Sequence, residues 1–153
     1  MTGRMRWTGA LVGCLLIGTA CSSASAASSS AAPASSASGH DVAVSVNQWS
    51  VTPSATPSAG PVTFSVTNDG TITHEFVVLK TDTPAASIDI GKFEGEEDRI
   101  NEDTSGTNVG ETGDMTAGST KSITLNLQPG HYVFLCNLPG HYMQGMHVDV
   151  TVT

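Results

Sequence analysis

Basic residues and cysteines are scarce in this sequence. Only six of its 153 residues are lysine or arginine, against fourteen aspartates and glutamates, so the formal net charge is −8. Because phosphate groups are bound by basic side chains, this balance excludes a nucleic-acid partner. The three cysteines are Cys14, Cys21 and Cys136. The longest apolar stretch, residues 7–20, is shorter than the roughly 20 residues of a membrane-spanning helix, which disfavours a transmembrane segment.

That apolar stretch instead has the features of an export signal. Arg4 and Arg6 precede it, and a short apolar segment after a basic start is typical of a signal peptide. We therefore predict that residues 1–21 are a signal peptide of the lipoprotein type. The prediction implies a protein outside the cytoplasm, either secreted or lipid-anchored to the outer face of a bacterial cell membrane.

Cys21 is the candidate for lipid attachment. It follows Ile-Gly-Thr-Ala and resembles the lipidated cysteine of bacterial lipoproteins, although glycine occupies position 18, where a larger aliphatic residue is usual. Two alternatives stay open. Cys14 follows Leu-Val-Gly, which is closer to the usual lipoprotein cleavage motif, but lipidation there would leave a very short signal. Ala-Ser-Ala at residues 24–26 is compatible with ordinary signal cleavage.

Residues 22–39 consist almost entirely of serine and alanine. Such a segment cannot bury enough apolar surface to offset the entropy lost on ordering it, so we predict a tether. Removal of the signal would take away Arg4 and Arg6. Four basic residues would then face fourteen acidic ones, a net charge of −10, so the exported protein is more acidic than the full chain.

The remaining residues, 40–153, carry a pattern of short β-strands and are predicted to form one domain. Apolar residues alternate with polar ones, and turn residues such as Asn-Asp-Gly and Pro-Gly separate the runs. Such a pattern predicts an all-β sandwich. The predicted strands lie at residues 42–46, 61–67, 72–80, 121–127, 131–136 and 146–153. Within the third strand the apolar run Phe-Val-Val-Leu at 76–79 indicates burial on both faces.

An acidic insertion, residues 84–119, interrupts this pattern. Only Lys92 and Arg99 oppose its acidic side chains, and we interpret it as a solvated loop with room for a short helix. A docking surface for a basic partner is the main alternative. Calcium binding is disfavoured because the acids lack the regular spacing of a calcium loop. The acidic residues are Asp89, Glu94, Glu96, Glu97, Asp98, Glu102, Asp103, Glu111 and Asp114.

Metal-binding chemistry is concentrated near the end of the chain. With the signal gone and Cys21 lipidated, Cys136 has no cysteine to pair with. An unpaired thiol in an oxidising compartment is a liability unless it is bound to a group such as a metal. His141 and Met146 follow at intervals of five residues. A thiolate, an imidazole and a thioether suit copper better than magnesium or calcium. His74, at the start of the predicted strand 72–80, is the candidate for a second imidazole.

Two segments resemble the cupredoxins, the blue-copper family that includes azurin, plastocyanin and rusticyanin. They are Tyr-Val-Phe-Leu-Cys-Asn-Leu-Pro-Gly-His-Tyr-Met-Gln-Gly-Met at 132–146 and Asn-Asp-Gly-Thr-Ile-Thr-His-Glu-Phe at 68–76. The resemblance implies a Greek-key β-sandwich with one type 1 copper per chain. It further implies that His74, Cys136 and His141 are the equatorial ligands and that Met146 is the weak axial one.

Some details of the match are mixed. The segment from Cys136 to His141 is similar to that of azurin, whereas the four residues between His141 and Met146 are similar to plastocyanin and rusticyanin. Glu75 stands where several members of the family have asparagine, which predicts different hydrogen bonding beside the first histidine.

Other candidate side chains are assigned no metal. Met143 is only two residues from His141, which makes simultaneous ligation awkward. His147 follows Met146 on a strand and is predicted to point to the opposite face. His40 and His131 are predicted to lie on the surface, and Trp49 to pack in the core or at its rim.

The resemblance implies an electron carrier rather than an enzyme. The family passes electrons through the exposed edge of the ligand that matches His141, and here the predicted rim is Leu138, Pro139, Tyr142 and Met143. We expect a monomer with transient redox protein partners. Five histidines, two of them already assigned, are too few for further catalytic coppers. A copper delivery or storage module is the alternative function, and a copper-free structural sandwich is the third.

Overall fold

Ten strands form along residues 40–153, the part of the chain that the computed structural model describes. The predicted signal peptide and the Ser/Ala tether lie outside the described residues. The strands are β1 His40–Asn47, β2 Ser50–Pro53, β3 Gly60–Asn68, β4 Val77–Lys80, β5 Ile90–Phe93, β6 Glu96–Ile100, β7 Thr107–Glu111, β8 Thr120–Leu127, β9 Gly130–Leu135 and β10 His147–Val152. One short helix, α1 Glu102–Ser105, and the 3₁₀ turns Ala85–Ser87 and Tyr142–Gln144 complete the described elements.

Eight of these strands make two four-stranded sheets. The first has the order β2-β1-β3-β8 and the second the order β10-β9-β4-β7. Strands β1 and β3 run parallel, with Val42 opposite Phe64, whereas the other neighbours are antiparallel. The chain crosses between the sheets from β3 to β4 and back from β7 to β8, as Greek-key sandwiches do. The predicted all-β sandwich is confirmed.

The core between the sheets follows from alternation along the strands. Val42, Val44 and Val46 point inward from β1 and are buried, while their neighbours face outward or lie at the edge. Phe64, Phe76 and Phe134 meet at the centre, with ring centroids 5.3 to 5.5 Å apart. Each such aromatic pair contributes about 1 kcal/mol beyond the burial of its area. This core supports the end of the sandwich at which Cys136 lies.

The second sheet is covered on both faces, as the run at residues 76–79 predicts. Phe76 and Val78 belong to the core between the sheets. Val77 and Leu79 point the other way and belong to a second cluster, in which the acidic insertion supplies Ala85, Ile88 and Ile100. The insertion therefore closes the outer face of the second sheet.

The acidic insertion holds more regular structure than the sequence indicates. The predicted short helix is present as α1, whose first turn is capped by Asn101 Oδ1 accepting from the Thr104 N–H at 3.2 Å. In addition to that helix, β5 and β6 form a hairpin, and β7 is one of the two edge strands of the second sheet. These strands were not predicted, because acidic residues on their exposed faces outnumber the few buried apolar ones.

The strand predicted at residues 72–80 is shorter than expected. It begins at Val77, so His74 does not open it. His74 instead forms an isolated β-bridge with Met115: the His74 N–H donates to the Met115 carbonyl at 3.1 Å and the Met115 N–H to the His74 carbonyl at 2.7 Å. The Asn68 side-chain amide donates to the carbonyls of Ile72 and Met115, at 2.8 Å each. These side-chain bonds tie the end of β3 to the segment before β4 and to Met115.

Candidate metal centre

The loop that follows β9, residues 136–146, is closed upon itself by backbone hydrogen bonds. The Cys136 N–H donates to the Met146 carbonyl at 3.0 Å, and the Met146 N–H donates to the His141 carbonyl at 3.3 Å. Gly145 has a φ of 96°, the left-handed conformation in which the 3₁₀ turn ends before β10. We call this segment the Cys136 loop; it brings Cys136, His141 and Met146 to one end of the sandwich.

His74 meets this loop from the segment ahead of β4. Its Nδ1 lies 3.2 Å from His141 Nδ1, and the Cys136 Sγ lies 3.3 Å from His141 Nδ1. The three donor atoms all lie within 4.8 Å of one another, although His74 and His141 are 67 residues apart. Three of the four predicted ligands thus converge on one point, and their binding of a metal stays a prediction.

Met146 is the fourth predicted ligand. Its side chain is fully buried and belongs to the same core cluster as Cys136. The alternative thioether, Met143, is 55% exposed. Met146 is therefore buried in the same core as Cys136, whereas Met143 faces solvent.

The sulfur of Cys136 is in a dry environment. Its side chain is fully buried, and the Glu75 N–H donates to Sγ at 3.4 Å. Burial raises the pKa of the thiol to about 11, so the metal-free protein holds the proton at neutral pH. A cation that binds here must displace that proton and then neutralises the buried thiolate.

Both histidines are suited to ligation as neutral rings. Burial, with a smaller effect of His141, lowers the pKa of His74, and burial alone lowers the pKa of His141. Their Nδ1 atoms face each other and the sulfur, so these nitrogens must be free of protons for a metal to bind. One thiolate, two imidazoles and a nearby thioether are the donors that copper prefers, and the residues present fit this ion.

Gln48 orients the ring of His74. Its Oε1 lies 3.5 Å from His74 Nε2 and is an acceptor for a proton on that nitrogen, the tautomer that leaves Nδ1 free for a metal. Thr71 holds Gln48: the Gln48 amide donates to Thr71 Oγ1 at 2.6 Å, and the Thr71 N–H donates to Gln48 Oε1 at 3.1 Å. Gly70 gives them room, since an added Cβ would lie 2.3 Å from Gln48 Oε1 and 2.8 Å from His74 Nε2.

Trp49 is the second residue whose place at the site the sequence does not indicate. Its ring centroid lies 5.1 Å from that of His141 and 6.3 Å from that of His74. Trp49 is 40% exposed, which makes it a rim residue rather than a core residue. Gln48 and Trp49 precede His74 by about 25 residues and belong to no metal-binding pattern, so only their contacts identify them.

Asn137 ties the Cys136 loop to the acidic insertion. It is fully buried, and its N–H donates to Glu75 Oε1 at 2.9 Å. Its side-chain oxygen accepts from the Ile100 N–H at 2.9 Å, and its side-chain nitrogen donates to the Ile100 carbonyl at 3.1 Å and to Glu102 Oε1 at 2.7 Å. Glu75 thus receives its hydrogen bond from the residue that follows the sulfur.

The other predicted residues lie away from the converging donors. His147 packs against Tyr142, with ring centroids 4.5 Å apart. Tyr142 belongs to the cluster on the outer face of the second sheet, whereas Met146 belongs to the core between the sheets, so His147 faces away from Met146, as predicted. His40 is exposed. His131 lies at the surface, with its Nδ1 2.6 Å from the Thr81 carbonyl oxygen and its Nε2 3.0 Å from Asp149 Oδ1.

A comparison with protein-family models agrees with this arrangement. Residues 37–153 match the sulfocyanin (SoxE) domain. The chain belongs to the sulfocyanin family. The match covers the whole described sandwich, including the four predicted ligands. None of the curated proteins matches the chain.

Solved structures similar to this sulfocyanin-family chain include two auracyanins. The reduced auracyanin of Roseiflexus castenholzii has 25% sequence identity and a TM-score of 0.53, over 74% of this chain and 94% of that one. Auracyanin A of Chloroflexus aurantiacus, a "blue" copper protein, has 19% identity and a TM-score of 0.52, over 74% of this chain and 98% of that one. The second likeness shows the fold alone.

The predicted cupredoxin resemblance is therefore confirmed. Sulfocyanins and auracyanins are cupredoxins, whose cofactor is one type 1 copper ion and whose general function is electron transfer. Copper is accordingly the cofactor of this sulfocyanin-family chain. No helix among residues 40–153 is both long enough and apolar enough to cross a membrane.

Proposed function

We propose that this protein is a blue-copper electron carrier that works outside the cytoplasm and passes single electrons between redox protein partners. His74, Cys136 and His141 hold the copper, and Met146 is the weak fourth ligand. The observation that carries the proposal is that the three donor atoms lie within 4.8 Å of one another. Two separate segments of a packed sandwich supply these donors.

The surrounding structure suits a carrier because it keeps the ligands in place. When bound, copper supplies a couple that gains or loses one electron. The backbone bonds of the Cys136 loop and the bridge between His74 and Met115 restrict the movement of all four proposed ligands. Little rearrangement is then needed between the two oxidation states, which favours fast transfer. Four protein ligands leave no open position for a substrate, so we propose no enzymatic role.

His141 is the ligand nearest the solvent. It is half-buried, whereas His74, Cys136 and Met146 are fully buried. The half-buried Leu138 and the exposed Met143 lie close to it in the chain. A small apolar rim of this kind supports weak, transient docking of a redox partner by a monomeric carrier.

The proposed location of the protein rests on the sequence of its first residues. We propose that residues 1–21 direct export, that Cys21 carries a lipid, and that residues 22–39 tether the domain to the outer face of the membrane. Cell fractionation of the wild-type chain and of Cys21→Ser tests this. We expect the wild-type chain in the membrane fraction and the variant in the soluble extracytoplasmic fraction; a wild-type chain that is soluble would contradict the anchor.

Spectroscopy of the copper-loaded chain tests the carrier. We expect strong visible absorption from thiolate-to-copper charge transfer, together with the EPR signal of a type 1 site. Cys136→Ser should abolish both, because a hydroxyl cannot replace the thiolate. His131→Ala, which removes a histidine away from the donors, is the matched control and should keep both. A wild-type chain that binds copper without visible absorption would contradict the proposal.

Copper delivery or storage is the second candidate, favoured by the exposed thioether of Met143 two residues after His141. A delivery module must release Cu(I) readily to an acceptor. A carrier must keep its copper through many cycles of reduction and oxidation. Competition with a Cu(I) chelator, before and after repeated cycling, separates them: we expect retention, and rapid loss of copper would favour delivery.

A further inference from the structure

Four large apolar side chains are exposed among residues 40–153: Trp49, Ile72, Ile90 and Met143. Single exposed apolar residues are ordinary on protein surfaces. Trp49 differs from the other three because its ring contacts two of the proposed copper ligands. A tryptophan has the largest apolar area to bury, yet two fifths of this one, 40%, stays exposed.

Trp49, His141 and His74 form one aromatic cluster. The Trp49 ring meets His141 edge-on, at 5.1 Å between centroids and 71° between planes, and meets His74 at 6.3 Å and 88°. The two imidazole centroids lie 5.0 Å apart. His74 is fully buried, His141 is half-buried and Trp49 is exposed. The three rings therefore form a continuous series of contacts from the buried donor atoms to solvent.

The turn that carries Trp49 is firmly held. Asn47 at the end of β1 pairs with Ser50 at the start of β2, and Asn47 Oδ1 accepts from the Gln48 N–H at 2.7 Å. The Gln48 side chain is in turn bonded to Thr71. Both flanks of Trp49 are therefore held, and the backbone from which its ring reaches the histidines is fixed.

We infer that Trp49 is the group through which electrons pass between the copper centre and a redox partner. The inference rests on the proposed carrier function and adds a residue to it. One electron leaves the reduced centre and is taken up by an oxidant, while no bond is made or broken and no proton moves. Trp49 contacts the ligand rings rather than the metal, so it acts through His74 and His141 and connects these two rings to the surface.

Tryptophan fluorescence gives a test that is independent of electron transfer. Trp7 lies in the proposed export signal, so Trp49 is the only tryptophan of the processed chain, and the emission of that chain reports on Trp49 alone. The control is the processed double variant Trp49→Phe, Thr153→Trp, whose only tryptophan lies at an exposed position beyond the end of β10, where Val152 pairs with Gly130 at the far end of β9 from Cys136. Titration with Cu(II) should quench the processed chain strongly and the control only weakly. Equal quenching in the two chains would overturn the contact between Trp49 and the metal-binding histidines.

Oxidation of the reduced, copper-loaded chain by ferricyanide tests the electron path. Each centre loses one electron and reduces one ferricyanide to ferrocyanide. We expect Trp49→Leu to lower the rate constant severalfold at an unchanged reduction potential, and Trp49→Phe to restore part of the loss because it keeps an aromatic ring. Ile72→Ala is the matched control, since Ile72 is equally exposed, at 40%, and it should react like the wild type.

The possible results are distinguishable. An unchanged rate for Trp49→Leu, with the visible absorption intact, would overturn the inference and leave the carrier function standing. Loss of copper from Trp49→Leu would make Trp49 a support of the site rather than an electron path, and would also overturn it. Absence of visible absorption from the wild-type chain would instead count against the carrier function itself.

Discussion

Asn137 and Glu102 are joined by a buried hydrogen bond of 2.7 Å, from the side-chain amide of Asn137 to Glu102 Oε1. Asn137 directly follows the proposed sulfur ligand, and Glu102 begins helix α1 of the acidic insertion. Asn108 donates to the other oxygen of Glu102 at 2.6 Å. Both oxygens of the Glu102 carboxylate thus accept hydrogen bonds, and the bond from Asn137 attaches the acidic insertion to the Cys136 loop.

Replacement of Asn137 should destabilise the fold. Asn137→Ala removes the side-chain partners of the Ile100 N–H and of Glu102 in a buried place, and each buried polar group left unpaired costs about 1 to 3 kcal/mol. We expect a loss of about 2 to 4 kcal/mol in the free energy of unfolding, measured by urea denaturation of the copper-free chain. Asn126→Ala, at an exposed position of β8, is the control and should change it little; similar losses in both variants would contradict this prediction.

The contribution of Glu75 to the stability of the copper-free protein should fall as the pH rises from 4.5 to 7. Burial raises the pKa of Glu75 from 4.5 to about 7, against the opposing effect of Arg99. The folded state therefore holds this proton more tightly than the unfolded state. Its stabilising contribution is complete below pH 4.5 and is lost as the pH rises through 7, up to about 3 kcal/mol.

Glu75→Gln should flatten this pH dependence, because the amide cannot ionise and can still accept from the Asn137 N–H. Burial also raises the pKa of Glu102, so some dependence of the same sign should remain. Glu97, whose side chain is 69% exposed, supplies the control Glu97→Gln. Urea denaturation at a series of pH values measures the effect, and an unchanged slope in Glu75→Gln would refute the assignment to Glu75.

A methyl group at position 70 should disturb the copper site. The Cβ of Gly70→Ala would lie 2.3 Å from Gln48 Oε1 and 2.8 Å from His74 Nε2, so Gln48 must move and His74 loses its orienting partner. Loss of such a partner typically lowers metal affinity by about 10-fold or more. Competition with a chelator measures it. Gly91→Ala, where an added Cβ meets nothing within 4 Å, should bind copper like the wild type, and unchanged affinity in Gly70→Ala would speak against this role.

The assignment of Met146 over Met143 can be tested by reduction potential. Met146→Leu removes a thioether that would favour the oxidised ion, so we expect the potential to rise. Leucine is close to methionine in volume, and the fold should lose less than about 1.5 kcal/mol. Met143→Leu is the matched control at an exposed position and should leave the potential unchanged. A potential that responds only to Met143→Leu would transfer the assignment to Met143.

The fold class and three of the four candidate ligands were available from the sequence because they depend on local features. Alternation of valines in residues 42–46 reflects the two faces of a strand, which the side chains themselves define. Cys136, His141 and Met146 are separated by so few residues that one loop must hold them together. Their donor chemistry also belongs to the residue types and needs no fold to be recognised.

Other features were decided only by tertiary packing. His74 was identified by sequence, but it forms a β-bridge with Met115 in place of a strand. The Asn68 side chain bonds to the carbonyls of Ile72 and Met115, and Met115 is 47 residues away along the chain. The acidic insertion has a charged sequence, and its few buried residues such as Ile100 become a second core only when β4 and β9 present an apolar outer face. Gln48 and Trp49 carry no metal-binding signal, because their role consists of contacts with rings that the chain brings near them only on folding.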